Sequence, residues 1–300
     1  MSKIHRISIL FYNFAKLKTK NPKLMDSTKV LYISQEITPY LPETEMSTIS
    51  RFLPQKIQDK GKEIRTFMPK FGTINERRNQ LHEVIRLSGM NLIIDDTDHP
   101  LIIKVASIQS ARMQVYFIDN EDYFQRKYVL RNDDNKEFED NDERAIFFAR
   151  GVLETVRKLR WAPDIVHCHG WFSGLVPLYV KKTFKDDPLF SRSKVIYSVY
   201  SDDFKKAFRS DFKKKVKTEG ITEKDVEVLK TPDFVSYSKL AVMKSDGIII
   251  ASKKINPELE KFILQQKMPV LPFQDTEDYV DAYSDFYDQI LKIKVNESKK

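Results

Sequence analysis

The chain has 300 residues, of which 41% are hydrophobic and 12% aromatic. These fractions exclude a disordered tail, because they supply enough apolar side chains to bury a sizeable core. The formal net charge is +8 at pH 7, but residues 1–25 contain six basic and no acidic residues, which leaves +2 for the rest. We therefore expect no nucleic-acid partner, since proteins that bind nucleic acid usually carry a general basic surface.

Compartment and membrane association are the next properties that the composition constrains. The one cysteine, Cys168, excludes an internal disulfide and a cysteine metal cluster, and we expect a cytoplasmic protein. No stretch reaches the roughly 18 apolar residues of a membrane span, so we expect none. Residues 1–25 lack the cleavage site of a signal peptide. We expect Met25 to be the native start and residues 1–25 to be a basic leader outside it; a targeting arm is the alternative.

The first predicted elements form a βαβ unit. The β-rich runs at 29–34 and 63–68 are separated by apolar residues at helical spacing, and Gly61 is a stop signal for that helix. Because parallel strands need such a crossover, this order predicts a parallel sheet. Pro54 conflicts with the helical pattern and predicts either a kink or a later start of the helix.

Residues 84–118 predict a β-rich insertion at the edge of that sheet. Short polar turns separate its successive strand-like runs, which lie at 84–87, 91–95, 101–108 and 112–118. The segment 131–142 is dense in Asp, Asn and Glu, and it predicts a solvated loop.

The rest of the chain alternates between helical and strand-like patterns. A long helix with a buried face at 147–159 comes first, and it is followed by strand 164–169, helix 173–184, strand 194–199, strand 247–252, helix 256–266, strand 269–273 and helix 278–292. The alternation predicts the α/β class, with a single Rossmann-like, doubly wound parallel sheet over residues 26–292 and a tail at 293–300.

Residues 204–217 carry an aromatic stripe within a basic run. Phe204, Phe208, Phe212 and Val216 recur every four residues, with seven basic residues and one Asp between them. We expect an amphipathic helix whose aromatic stripe packs on the core. The alternative is a basic helix that meets a membrane surface, nucleic acid or an acidic partner.

Two loops qualify as ligand sites, because ligands of such sheets bind beyond the carboxyl ends of the strands and next to helix starts. The first, residues 35–46, has three glutamates and neither glycine nor lysine. A phosphate cradle needs glycines that let backbone N–H groups approach, and usually a cation as well. We therefore expect this loop to be a poor site for anions.

The second loop, residues 163–171, carries His167, His169 and Trp171. Side chains alternate along a strand, so we expect both histidines on one face. Two ligands without a nearby third make a weak metal site, and we expect no metal. A sugar site fits better, because imidazoles hydrogen-bond to hydroxyls and Trp171 can face a sugar ring. The alternative is that both histidines only satisfy buried backbone groups at the strand end.

Several motifs resemble the bacterial glycogen and starch synthases of the ADP-glucose type. They are KVLYISQEITPY at 29–40, FLPQKIQDKGKEIRTFMPKFGTINERR at 52–78 and PDIVHCHGWFSGLVPLY at 163–179. In that family the first strand ends in SExxP, the first helix carries Leu-Pro, the next strand leads into MPxYG, and a later strand delivers His-x-His-Asp-Trp. The resemblance covers most of residues 29–255, and the last motif is the most specific.

The resemblance implies the amino-terminal half of a GT-B glycosyltransferase, in which two Rossmann-like domains bind donor and acceptor in the cleft between them. It also implies glucosyl transfer from ADP-glucose, as the donor substrate, to an α-1,4-glucan, without a further cofactor. His167 matches a functional position of the family, and His169 and Trp171 match more loosely as substrate-binding residues. Helix 278–292 is expected to be a remnant of the family's closing helix, which crosses back onto the first domain.

The chain departs from the family's pattern at the donor site. The family's Lys-Thr-Gly-Gly-Leu loop for the ADP-glucose pyrophosphate falls on residues 42–46, the Asp of His-x-His-Asp-Trp is Gly170, and the family's Thr-x-His-Asn falls on residues 198–201. A second Rossmann domain, of about 200 residues, is not expected in the remaining length. We expect a homologue that is inactive alone and needs a partner subunit for transfer. The alternative is a non-catalytic pseudoenzyme of glycogen metabolism that binds glucan or a protein partner.

Overall fold

The computed structural model describes residues 27–275 and 279–297, so the expected leader and the expected start at Met25 lie outside the described residues. Its strands are β1 Lys29–Ser34, β2 Glu63–Pro69, β3 His82–Glu83, β4 Met90–Ile94, β5 Thr97–Ile108, β6 Met113–Asp119, β7 Ile165–His169, β8 Lys194–Val199, β9 Gly247–Ile250 and β10 Val270–Leu271. Its helices are α1 Glu45–Asp59, α2 Glu121–Phe124, α3 Asn141–Leu159, α4 Val176–Lys181, α5 Phe212–Val216, α6 Phe234–Met243, α7 Pro257–Leu264 and α8 Tyr279–Glu297.

The strands form one mixed sheet in the order β10-β9-β8-β7-β1-β2-β6-β5-β3, with β4 paired to β5. All neighbours from β10 to β6 are parallel. By contrast, β5 pairs antiparallel with β6, β3 and β4. The predicted β-rich insertion therefore lies at the edge of the sheet, as expected. The strand order reverses around β1, between β2 and β7, which places a topological switch point at the centre of the sheet.

Apolar side chains pack on both faces of this sheet, and the doubly wound α/β class is confirmed. Val30 and Tyr32 of β1 point to the face that α1 and α8 cover. Leu31 and Ile33 point to the opposite face, which α3, α4, α6 and α7 cover. The alternation follows from the two-residue period of a strand. Because both faces are buried, the central strands are nearly continuous hydrophobic runs.

Helix α1 begins at the carboxyl end of β1, directly beside the switch point. Thr44 is its N-cap: the Thr44 hydroxyl accepts from the Ser47 N–H at 3.0 Å, and the Ser47 hydroxyl accepts from the Thr44 N–H at 2.8 Å. This reciprocal capping satisfies two backbone donors that a helix otherwise leaves free. The prediction of a later helix start is wrong, because α1 begins at Glu45 and includes Pro54.

One predicted strand is wrong, and one predicted solvated loop is right over 131–140 but not at its end. Residues 84–87 do not form a strand but a turn, in which the Leu87 N–H donates to the Val84 carbonyl at 2.8 Å. A short apolar run does not distinguish the two structures, since either one buries Leu87. The predicted solvated loop at 131–142 ends in the first turn of α3, where Asp142 is fully buried. Its carboxylate is stabilised there by Arg209, whose Nη2 lies 2.7 Å away.

The basic run at 204–217 packs its aromatic stripe on the core as expected, with Phe204, Phe212 and Val216 buried. It is not one long helix, however, because only Phe212–Val216 is helical. Six of its seven cations form ion pairs with acidic side chains of the described residues. The pairs include Lys206 with Glu139, Arg209 with Asp142 and Glu143, Lys213 with Glu223, and Lys215 with Glu143 and Asp211.

The closing helix lies on the sheet. Tyr283, Phe286, Tyr287 and Ile290 of α8 are buried against the face that α1 also covers. The helix extends to Glu297, so the predicted tail at 293–300 begins inside it. Within the described parts of the chain, no helix is long and apolar enough to cross a membrane.

Candidate functional site

The carboxyl ends of β1, β7, β8 and β9 open into a cleft of about 870 Å³. The loops that follow these four strands line it, and residues 129–131, 137 and 141 close one side. This is the position at which a doubly wound sheet binds ligands, beside the switch point and the first turn of α1. We call it the switch-point cleft.

Carboxylates outnumber cations among the side chains that line the switch-point cleft. The acidic residues are Glu36, Glu45, Glu137, Asp202 and Asp203, and the basic residues are Arg131, Lys205 and Lys254. Arg131 pairs with Glu137 at 3.0 Å, which removes one charge of each sign and leaves four acidic and two basic groups. The potential in the cleft therefore favours neutral or cationic ligands over anions.

The start of α1 adds to this acidic character. A helix N-terminus normally attracts anions, because its first N–H groups and its dipole point outward. Here the capping bonds of Thr44 and Ser47 occupy two of those N–H groups, and the carboxylate of Glu45 lies in the first turn. The Ser252 hydroxyl donates to Glu45, and the Thr44 hydroxyl donates to Glu36 at 2.7 Å. The expectation of a poor anion site is thus consistent with the geometry of this loop.

His167 and His169 lie next to each other on one face of β7, with ring centroids 3.9 Å apart. Both are fully buried beneath α8 and have no surface on the cleft. The imidazole of His167 forms hydrogen bonds at Nδ1 with the Tyr287 hydroxyl (2.7 Å) and at Nε2 with the Ser198 hydroxyl (2.7 Å). His169 Nδ1 bonds to the Tyr200 hydroxyl at 2.8 Å. We call these two residues the histidine pair.

The partners of the histidine pair are side-chain hydroxyls and not the backbone groups that the alternative interpretation required. Burial lowers the pKa of His169 to about 3, and burial together with the neighbouring His169 holds the pKa of His167 well below its usual range. Both imidazoles are therefore neutral at pH 7. His169 Nε2 is buried without a partner among the described residues. Those residues contain no group of three or more side chains suited to a metal ion.

Trp171 lies on the other side of the sheet from the histidine pair. Its ring packs in an aromatic cluster, 5.0 Å from the ring of Phe204 and 5.1 Å from that of Phe172. Only 2% of the residue is exposed, at the wall of the switch-point cleft. The structure thus does not bring the three predicted substrate-binding residues together. Their role in binding a substrate remains a prediction.

Gly170 connects the histidine pair to Trp171 and lies against the floor of the cleft. Its φ is +76°, which only glycine adopts at little cost. A Cβ added here would lie 2.5 Å from Met46 Cε and 2.9 Å from Asp202 Oδ2. An aspartate, which the family has at this position, would therefore strain the backbone and require the side chains of Met46 and Asp202 to move.

Asp202 and Asp203 are functional candidates that the sequence reasoning missed. Asp202 Oδ2 accepts from the Trp171 N–H at 3.0 Å, and Asp203 Oδ2 accepts from Asn256 Nδ2 at 3.0 Å. Burial raises the pKa of Asp202 to about 7. The signal was present, since the loops after β8 and β9 also follow strands whose carboxyl ends meet at the switch point.

The fold and the cleft together define a Rossmann-like α/β domain with a ligand site at its switch point. The sequence profile of the starch synthase catalytic domain matches residues 29–268. The chain therefore belongs to the starch synthase catalytic domain family.

Individual relatives agree with this assignment. The chain is 39% identical to the glycogen synthase of Chlorobium limicola over 174 residues, which are 58% of this chain and 36% of the relative. It is likewise 39% identical to the glycogen synthase of Chlorobaculum tepidum over 175 residues, with the same two shares. The chain thus matches about a third of the length of these curated relatives.

A solved structure shows the same fold. The catalytic domain of starch synthase IV from Arabidopsis thaliana, bound to ADP and acarbose, superposes with a TM-score of 0.60 at 16% identity. The superposition covers 74% of this chain and 44% of the plant chain. The fold expected from the motifs, the amino-terminal half of a GT-B glycosyltransferase, is therefore confirmed.

Proposed function

We propose that this chain is a glycogen/starch synthase homologue whose switch-point cleft binds a neutral α-glucan, and that it does not transfer glucose from ADP-glucose by itself. The single observation that carries the proposal is the excess of carboxylates in the cleft, above all Glu45 at the start of α1. Because the homologues are glycogen synthases, an α-glucan is the neutral ligand that the family suggests.

Electrostatics separates the two ligands. The pyrophosphate of ADP-glucose is an anion, and at the start of α1 it would meet Glu45 and Glu36 instead of a lysine and glycine N–H groups. The two carboxylates would repel the negatively charged pyrophosphate, and they would do so more strongly in a partly desolvated cleft than in water. A glucan carries no charge, and its hydroxyls are good donors to the carboxylates of Glu36 and Asp203.

A second candidate function is glucosyl transfer together with a partner subunit. The retained histidine pair favours it, because His167 matches a functional position of the family. In that case the partner would supply the groups that bind the donor phosphates, and the histidine pair would have to become accessible from its position beneath α8.

We also propose a cytoplasmic location, which the single buried thiol of Cys168 supports.

A transfer assay tests the proposal. Purified chain is incubated with ADP-glucose labelled in the glucose and with glycogen, beside an active glycogen synthase as the positive control. We expect retention of the chain on immobilised glycogen and no incorporation of label. The proposal is contradicted if the chain alone incorporates label and if His167→Ala, shown by circular dichroism to be folded, does not. Incorporation only after a partner protein is added would favour the second candidate.

A matched pair of variants locates the glucan. Glu36→Gln removes a charged acceptor from the cleft, and Glu227→Gln removes an exposed one on the segment 223–230, outside the cleft. We expect Glu36→Gln to weaken the binding of maltoheptaose by up to about tenfold, the value of one hydrogen bond. Glu227→Gln should bind as the unmodified chain does. Equal affinities of all three, by calorimetry, would place the glucan elsewhere.

A further inference from the structure

A second cavity, of about 250 Å³, lies at the amino ends of β2 and β6, on the edge of the sheet opposite to the switch-point cleft. It is formed by the end of α1, the start of β2 and the residues that lead into β6. The side chains that line it are Gln58, Glu63, Ile64, Arg65, Arg112, Met113, Gln114 and Tyr116. We call it the arginine cavity.

Arg65 packs against aromatic side chains in this cavity. Its guanidinium carbon lies 5.1 Å from the ring of Trp161 and 5.9 Å from that of Tyr116, and its Nη1 donates to the Tyr116 hydroxyl at 3.0 Å. These contacts orient the guanidinium plane without neutralising its charge. Its Nε is buried and has no hydrogen-bond partner among the described residues.

The one carboxylate of the cavity, Glu63, is bonded to Trp161 and not to Arg65. Glu63 Oε1 accepts from the indole Nε1 of Trp161 at 2.5 Å. No ion pair joins Glu63 to Arg65 or to Arg112 within 27–275 and 279–297. Arg112 itself is exposed at the mouth of the cavity, just before β6, and forms no ion pair in that part of the chain. The cavity thus has two guanidinium groups and one carboxylate, so its cations outnumber its anions by one.

The remaining polar groups suit an oxyanion. Register pairs Thr66 with Val115, which places Gln114 beside Arg65, and Gln58 lies at the end of α1. Both amides can donate, as can the free N–H groups of the two arginines. The volume corresponds to roughly eight water molecules of about 30 Å³ each, which is room for a phosphate group with a small substituent.

From these contacts we propose that the arginine cavity binds the phosphate group of a small molecule, either free phosphate or a phosphate monoester. Arg65 is the preorganised ligand and Arg112 closes on the anion from the rim. Guanidinium groups bind phosphate oxygens through paired, charge-assisted hydrogen bonds. Two of them in one cavity therefore favour a phosphate over an uncharged ligand. This inference does not depend on what the switch-point cleft binds.

The test is calorimetric titration of the full chain with sodium phosphate and with glycerol phosphate, at constant ionic strength set by chloride. We expect saturable binding of at least one of them, weakened at least tenfold by Arg65→Gln and by Arg112→Gln. Arg86→Gln, an exposed arginine of the β-rich insertion, is the matched control and should bind as the unmodified chain does. Because Arg65 is half-buried, thermal unfolding is recorded for each variant, and Arg112→Gln stands as the variant that leaves the packing intact.

Tighter binding of glycerol phosphate assigns the cavity to a monoester, and equal or tighter binding of sodium phosphate assigns it to the free ion. The proposal is overturned if neither anion binds saturably, or if binding persists unchanged in Arg112→Gln and in a folded Arg65→Gln. Maltoheptaose is titrated in parallel. Its affinity should not change in the arginine variants, so failure of the glucan proposal and failure of this one give different results.

Discussion

The histidine pair and the switch-point cleft are neighbours that differ in opposite ways from what the family resemblance implies. The pair keeps the matched residues, yet α8 and Tyr200 cover it and its imidazoles are fully buried. The cleft is open, yet Glu45, Met46 and Gly170 replace the family's groups in or beside it. The difference teaches that a retained motif can become part of the core while the surface beside it changes its ligand.

The largest expected effect comes from restoring the family's aspartate in Gly170→Asp. The φ of +76° with ψ of 167°, a region that is essentially restricted to glycine, and the contacts with Met46 and Asp202 should together cost about 3 kcal/mol of unfolding free energy. Gly61→Asp is the matched control, because Gly61 has a φ of +87° and no atom within 4 Å of an added Cβ. Urea denaturation should give a loss of only about 1 kcal/mol there.

The same experiment shows whether Met46 fills the space of the family's aspartate. Met46→Ala removes the two side-chain atoms that crowd the added Cβ. Combined with Gly170→Asp, it should recover about 1 kcal/mol or more of the loss, beyond what additivity of the single variants gives. If the stability changes of the two single variants simply add, the two positions are independent, and Met46 does not fill the space of the family's aspartate.

A smaller effect is expected for the seal over the histidine pair. Tyr287→Phe removes the hydroxyl that bonds to His167 Nδ1 and also contacts the Tyr32 hydroxyl at 3.3 Å. Leaving a buried imidazole nitrogen unpaired should cost about 1–2 kcal/mol in urea denaturation. Tyr279→Phe, on the same helix but without such a bond among the described residues, should be within about 0.5 kcal/mol of the unmodified chain. Equal stabilities of both variants would contradict the role of this bond.

The smallest effect is a dependence on pH that belongs to the cleft. The pKa of Asp202 is about 7 in the folded chain, whereas an unfolded aspartate has about 3.9. The folded chain therefore keeps this proton where the unfolded chain has lost it, and the resulting stability is complete below about pH 4 and lost as the pH rises to about 7. Because Asp202 is partly exposed, we expect the unfolding free energy to fall by only about 1 kcal/mol between pH 5 and 7.

A pair of variants isolates that slope. Asp202→Asn keeps an oxygen acceptor for the Trp171 N–H but has no titrating proton, so urea denaturation between pH 5 and 7 should lose this contribution. Asp133→Asn, in the exposed part of the 131–142 segment, should keep it. A slope that is identical in all three chains would show that Asp202 does not hold the proton.

Much of the fold follows from patterns that the sequence carries openly. The βαβ order of the first elements and the alternation of helical and strand-like patterns predicted a doubly wound sheet, and the lack of glycine and lysine in 35–46 predicted a poor anion site. The same patterns could not place side chains across long distances. That Tyr287 bonds to His167, 120 residues away, depends on how α8 crosses the sheet.

The basic run at 204–217 shows a second limit. Its four-residue spacing is real, and its aromatic side chains are buried, but the backbone is helical only at Phe212–Val216. The pairs that Arg209 and Lys215 form with α3 stabilise an irregular path that propensity alone does not predict. Tertiary ion pairs overrode the local helical pattern, and nothing within the segment indicated their partners.

The most direct test of the central claim is a comparison of two titrations of the purified chain by calorimetry, one with maltoheptaose and one with ADP-glucose. The account predicts saturable binding of the neutral glucan and no measurable binding of the anionic nucleotide sugar, because Glu36 and Glu45 line the place where its pyrophosphate would lie. Saturable binding of ADP-glucose to the chain alone, weakened by substitutions in residues 42–46, would contradict it.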